Sequence, residues 1–229
     1  MIIIPEIEAK IGVEFKDKTL LENAFVHRSF LNEHKDFHLE SNEKLEFLGD
    51  SVLSLITSMY LYNHYPHLKE GEYTEIKASI VRAESLAVAS AQLGLGNYIY
   101  LSKGEEAGKG RENKNLLADS FEALIAAIFI DQGFDRAYSF VLDHLFKDVL
   151  DAIVSSNSYS SSKSRLQELI QSKYKVTPTY TVIDQQGPEH DRIFSVSVGV
   201  NEDVLAQGTG KTKKEAEEHA ALNALEKVQ

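Results

Sequence analysis

The chain has 229 residues, of which 43% are hydrophobic and 26% charged, proportions that exclude wholesale disorder and a fibrous fold. It has no cysteine, which excludes disulfides, thiol catalysis and cysteine-bound zinc. The net charge of −11 argues against a polyanionic partner until its distribution is seen: residues 1–155 carry 15 basic and 25 acidic side chains, a net of −10, whereas residues 156–229 carry 9 and 10.

The first residues, Met1-Ile-Ile-Ile-Pro5-Glu6, have no basic n-region and are broken by Pro5, so a signal peptide is not expected. The longest apolar run, 124–130, falls far short of the roughly 20 residues that span a bilayer. With the missing cysteines this points to a cytoplasmic protein without a membrane segment. Apolar residues then recur three and four apart over 18–31, 42–65, 72–93, 115–130 and 135–154, the helical period. Asp17 and Ser41 are candidate N-caps, and Gly94 and Gly133 candidate C-terminal stops. The pattern predicts an all-helical domain over 1–154.

Residues 155–162, Ser-Ser-Asn-Ser-Tyr-Ser-Ser-Ser, are the low-complexity stretch and are expected to form a flexible linker. Beyond it the pattern changes. An amphipathic helix over 163–174 precedes β-branched or alternating segments at 180–184, 193–200 and 204–207, and an Ala-rich helix follows over 213–228. The order α-β-β-β-α predicts a small α+β domain over 163–229.

Chemistry concentrates in carboxylates. Asn42-Glu-Lys-Leu-Glu-Phe-Leu-Gly-Asp50-Ser places Glu43, Glu46 and Asp50 within about 60° of one helical face. Leu45, Leu48, Val52, Leu53 and Ile56 form the other side. Three acids alone are equally well read as a solvated stripe. Asp119 and Glu122, however, stand at i and i+3 in a nearly all-apolar helix, with no lysine or arginine one turn away. Burying unpaired carboxylates is costly, and a divalent cation shared with the first stripe would compensate both sets. Hard oxygen donors favour Mg²⁺, or Mn²⁺ in its place, over zinc. The alternative is a surface pair bonded to backbone amides. Di-iron spacing lacks its Glu-x-x-His, and His34 and His38 lie in a polar stretch and read as surface residues.

Asn42-Glu-Lys-Leu-Glu-Phe-Leu-Gly-Asp50-Ser resembles the signature of bacterial ribonuclease III, the double-strand-specific endoribonuclease. The resemblance continues in order through His27-Arg-Ser29, Glu70-Gly71, Val81-Arg-Ala83, Ser102-Lys-Gly-Glu-Glu106 and Leu117-Ala-Asp-Ser-Phe-Glu-Ala-Leu124, so that it covers essentially the whole chain. Lys44 departs from it, since the family usually has arginine there, and lysine keeps the charge without arginine's bidentate geometry. The resemblance implies a helical endonuclease domain that forms a homodimer and binds Mg²⁺ through Glu46, Asp119 and Glu122. It implies Asp50 and Glu122 as the catalytic pair, and Glu43 and Glu70 as supporting carboxylates. It also implies 5′-phosphate products with short 3′ overhangs, and work in rRNA, mRNA and tRNA processing.

The C-terminal part resembles a double-stranded-RNA-binding domain through Arg165-Leu-Gln-Glu168, Pro178-x-Tyr180, Gly187-Pro-Glu-His190 and Gly208-Thr-Gly-Lys-Thr-Lys-Lys-Glu-Ala-Glu217. Gly210-Lys211-Thr212 is no nucleotide P-loop, because Leu205 stands where that motif needs glycine. Lys211, Lys213 and Lys214 at a helix start suit a phosphate. Gln167 and Gln171, one turn apart, could reach minor-groove hydroxyls, and the turn ending at His190 a second groove; such domains read A-form shape more than sequence. Two other functions stay open: a non-catalytic double-stranded-RNA-binding regulator on the same fold, and a metal-dependent nucleotide hydrolase that would leave the second domain idle. Phe25, Phe30, Phe121 and Phe129 read as core, and Phe47 as either core or dimer contact.

Overall fold

The structure is a computed structural model that describes residues 3–147, 150, 161–188, 192–201 and 203–228. The chain divides into two compact units, Met1–Ser156 and Asn157–Gln229.

The first unit is helical: α1 (Ile4–Ile11), α2 (Lys18–Asn23), α3 (Arg28–Glu33), α4 (Glu43–His64), α5 (Glu70–Ile80), α6 (Ala83–Gln92), α7 (Lys103–Ala107), α8 (Lys114–Gln132) and α9 (Phe134–Val141). A π turn, Leu142–Phe146, continues α9. The helix α8 is central. Leu117, Ala118, Phe121 and all residues from Ala123 to Ile128 are buried, and α4, α6 and α9 pack around it. A helix apolar on nearly every side must be enclosed in this way. Its end is fixed by polar bonds: Asp131 accepts from the amides of Lys16 and Asp17, and Gln132 donates to the Glu14 carbonyl.

Several elements differ from the sequence expectation. The 18–31 segment is two helices, because the backbone of residues 24–27 bonds elsewhere. Asn42 donates to the carbonyls of Ala24 and Val26, and Tyr100 exchanges bonds with Phe25 and His27. Asn42, not Ser41, is the N-cap of α4, and its side chain is spent on Ala24 instead of on the helix. The 72–93 segment breaks at Arg82, whose extended backbone lets Ile80 and Leu86 both enter the core. Apolar periodicity marks the buried residues and is blind to such a change of axis. The short helices α1 and α7 are not among the expected elements; Pro5 lies in the first turn of α1, where no backbone N–H is needed. Asp17 does cap α2, accepting from the Thr19 amide at 2.9 Å, and Gly133 closes α8.

The second unit has α10 (Ser162–Tyr174), β1 (Thr179–Gln186), β2 (Ile193–Val200), β3 (Asp203–Gly210) and α11 (Lys213–Val228). The sheet is antiparallel in the order β1-β2-β3, with Val182 opposite Val196 and Val198 opposite Ala206. Leu166 and Ile170 of α10, Val196 and Val198 of β2, and Ala216, Ala220 and Ala224 of α11 form the core. A β-carbon on Gly208 would lie 2.1 Å from the Ala220 amide nitrogen, so this glycine and the alanine stripe let α11 lie directly on β3. Of the serine-rich segment, 155–160 fall outside the described residues; Ser161 caps α10 and Ser162 opens it.

Candidate active site

The helices α4 and α8 cross with their backbones almost touching. A β-carbon on Gly49 would lie 1.9 Å from the carbonyl oxygen of Glu122, so no other residue permits the crossing. Glu46 and Asp50 flank Gly49 on α4, and the crossing brings them to Glu122 and to Asp119 one turn earlier on α8. Glu46, Asp119 and Glu122 each offer an oxygen within 4.8 Å of the others. All three are partly buried, and among the described residues none has an ion-pair partner.

The electrostatic cost shows in their acidities. Burial, then Asp50, Asp119 and Glu46, push the Glu122 carboxyl up to about 8. Burial and the neighbouring Asp119, Glu43 and Asp50 raise Glu46. Burial raises Asp119, against which the nearby His27 acts in the opposite sense. Three hard oxygen donors, uncompensated by any lysine or arginine and held against an apolar helix, fit a divalent cation of the Mg²⁺ or Mn²⁺ type.

The other sequence candidates fall around this group. Asp50 is exposed and acts on Glu122 and Glu46. Glu43 is exposed, accepts from Ser41 and pairs with Arg28 at 3.5 Å. Glu70 opens α5, where it accepts from Thr74 of its own helix, and stands outside the three-carboxylate group. Lys44 pairs with Glu40 on the exposed side of α4, so its exchange for the family's arginine falls away from the acids. His34 and His38 are surface residues, and His34 stacks on Phe30. A cavity of 430 Å³ lined by Arg82, Ser85, Val88, His144 and Lys147 contains none of the clustered acids.

Sequence reasoning gave His27-Arg28-Ser29 no physical role. His27 caps α3 through its ring, and Ser29 joins that cap to Ser102, the N-cap of α7. Phe47, read as core or dimer contact, is 79% exposed and belongs to an apolar stripe that the sequence reading missed: Tyr62 is 73% exposed, with exposed Leu55 and Met59 between them on the same helix as the acids.

In the second unit Gln167 and Gln171 lie on the exposed side of α10, opposite Leu166 and Ile170. Lys211, Lys213 and Lys214 are exposed at the start of α11. There Thr212 accepts from the Glu215 amide, and the Glu215 carboxylate accepts from the Lys211 amide at 2.8 Å, placing an acid among the lysines. His190 lies outside the described residues.

Two family models cover nearly all of the chain, overlapping at α10. The Ribonuclease-III-like family matches residues 17–174, and the double-stranded RNA binding motif matches 162–228. The Ribonuclease 3 of Treponema denticola is 46% identical over 97% of this chain and 90% of its own length. That of Dehalococcoides mccartyi is 42% identical over 100% of this chain and 96% of its own. The nuclease domain of ribonuclease III from Campylobacter jejuni, described with structural flexibility in a region involved in dimer formation, superposes with a TM-score of 0.59 at 36% identity, covering 64% of this chain and 98% of its own. Carboxylates gathered at a glycine crossing, a following α-β-β-β-α unit and relatives matched over nearly their full length lead to one conclusion: the chain belongs to the ribonuclease III family and is an endoribonuclease.

Proposed function

We propose that the protein hydrolyses phosphodiesters of double-stranded RNA in a Mg²⁺-dependent reaction, as a homodimer, leaving 5′-phosphates and short 3′ overhangs. The observation that carries this reading is the meeting of Glu46, Asp119 and Glu122 at Gly49 with no lysine or arginine paired to them among the described residues. Those three side chains would hold the ion, with Mn²⁺ able to replace Mg²⁺. When bound, the ion supplies Lewis acidity, which acidifies water and offsets charge on the phosphate.

The chain's own groups do the rest. The apolar floor of α8 keeps bulk water from one side of the acids. Asp50, exposed on α4 beside Gly49, would take the proton of the attacking water on its carboxylate. Glu43 and Glu70 act at greater distance, on the placement of the strand. The second unit supplies the grip: Gln167 and Gln171 toward the minor groove, Lys211, Lys213 and Lys214 toward phosphates, and His190 toward a second groove.

The exposed stripe of Phe47, Leu55, Met59 and Tyr62 supports self-association, since so large an apolar strip on one helix is ordinarily covered. Two acid clusters related by a two-fold axis match the antiparallel strands of a duplex, one cluster to each strand. Among the described residues no helix is long and apolar enough to cross a membrane. A cytoplasmic role in rRNA, mRNA and tRNA processing accords with this. The test is incubation of a long RNA duplex with Mg²⁺ or with EDTA, followed by end mapping. Cutting with Mg²⁺ alone, at 5′-phosphate ends, supports the reading; binding without cutting in either condition points to the non-catalytic regulator.

A further inference from the structure

In the second unit the starts of α10 and α11 are tied together. The Ser162 amide, at the first residue of α10, donates to the Glu218 carboxylate at 2.9 Å, and Lys163 pairs with Glu217. At the other end Lys173 donates to the Val228 carbonyl at 2.7 Å, so the two helices run in the same direction. The Lys163 ammonium also lies over the Tyr180 ring of β1, 4.7 Å from its centre. The buried Tyr180 hydroxyl has no hydrogen-bond partner among the described residues, so what Tyr180 offers Lys163 is its ring face. Lys163 is thus held from two sides, by a carboxylate and by a ring.

The two acids stand one turn from the lysines read as phosphate contacts. Glu217 follows Lys213 by four residues and Lys214 by three, and Glu218 follows Lys214 by four, so acids and lysines share a side of α11. A carboxylate left free there would pair with Lys213 or Lys214 and repel an approaching phosphate. Instead Lys213 and Lys214 are exposed, and among the described residues neither has an ion-pair partner. Lysine before glutamate is the weaker order for a pair within one helix, so a lysine from α10 seated on a ring wins the carboxylate. Glu215, the acid nearest the lysines in the chain, is engaged too, by the Lys211 amide.

We propose that Lys163 is a positioning residue for duplex binding: it holds Glu217 against α10 and Tyr180 and so leaves Lys213 and Lys214 free for the phosphates of the RNA. This rests on the reading of Lys211, Lys213 and Lys214 as phosphate contacts. The helix α10 then serves the duplex twice, through the glutamines on its exposed side and through a first turn that keeps the acids of α11 occupied.

The test is binding of a short RNA duplex by the full-length protein in EDTA, read by fluorescence anisotropy over a range of salt, beside thermal melting. Lys163→Met should release Glu217: affinity should fall about three- to tenfold, and the slope of log affinity against log salt should shrink by about 0.9, the share of one phosphate contact. Adding Glu217→Gln to Lys163→Met removes the acid as well, and should restore both slope and affinity, the latter to within about twofold of the parent. If the double variant binds as weakly as Lys163→Met, Lys163 itself meets the RNA and the proposal is overturned. It is overturned also if Lys163→Met melts lower but keeps the parental affinity and slope, the result of a merely structural role. Alanine at Lys211, Lys213 and Lys214 together is the reference for the underlying reading. Parental affinity and slope in that variant would remove the phosphate reading, and this proposal with it. Weakened binding there beside a parental Lys163→Met would overturn the role of Lys163 alone. Should Lys163→Met not fold, Lys163→Gln takes its place: weakened binding that Glu217→Gln restores supports the proposal, and any other result overturns it.

Discussion

The two units solve opposite problems with charge. In the first, Glu46, Asp119 and Glu122 are gathered into one partly buried group beside an apolar helix, where burial makes all three harder to ionise and neighbouring carboxylates add to the effect on Glu46 and Glu122. In the second, Lys211, Lys213 and Lys214 stand exposed at the start of α11, while Gln167 and Gln171 lie on an open helical face. A concentrated site stores electrostatic cost and depends on geometry to within a bond length. A dispersed surface depends on how many phosphates and hydroxyls it meets, and tolerates the removal of one. Catalysis should therefore fail abruptly under single substitutions, and binding should decline by steps.

Glu122→Gln should abolish cleavage while leaving duplex affinity nearly intact, read by single-turnover rates beside a binding titration. Cleavage within about tenfold of the parent at saturating Mg²⁺ would remove Glu122 from the site. Gly49→Ala comes next, because its methyl meets the Glu122 carbonyl and must part α4 from α8. It should cost about 2–3 kcal/mol or more in urea unfolding and also lower cleavage, although it touches no charge. A parental unfolding midpoint would show that the crossing is not tight.

The pH dependence should be smaller and specific to the first unit. Glu122 ionises near 8 in the folded chain and at about 4.5 unfolded, so between these values the folded state holds the extra proton. Metal-free protein should accordingly lose stability as pH rises from about 5 through 8, and Glu122→Gln should flatten that slope. Equal slopes in thermal melts of the two proteins would count against it. In the second unit, alanine at Lys211, Lys213 and Lys214 together should weaken binding of all duplexes alike and reduce the salt slope by about 0.9 for each phosphate no longer neutralised. Gln171→Ala should give the smallest change, a few-fold in duplex affinity with the cleavage rate of bound RNA unchanged.

What the sequence disclosed follows the same line. The spacing of Glu43, Glu46 and Asp50, and of Asp119 and Glu122, was enough to nominate the acids, since an i, i+3 pair in an apolar helix is hard to explain otherwise. The residue that unites them, Gly49, was legible only as a letter of a motif, because close approach of two helices is a relation between segments 73 positions apart, Gly49 and Glu122. Likewise Asn42 displaced Ser41 as the cap of α4 through a long-range bond to Ala24 that local propensity does not contain. In the second unit the helix over 213–228 matched its observed bounds, Lys213–Val228, since it begins at a local signal, Thr212 and Glu215.

The helix α4 also acts as a measuring rod. Its 22 residues span about 33 Å, and it carries the acids Glu46 and Asp50 and, on exposed positions from Phe47 to Tyr62, the apolar stripe. If that stripe seats a second copy, the point along α4 at which the two-fold axis falls fixes how far apart the two acid groups stand. The offset between the two cuts then becomes a length built into one rigid element, independent of the sequence of the RNA. Shifting the stripe by one turn, with the acids left in place, would change the stagger of the product ends without touching the chemistry that makes them.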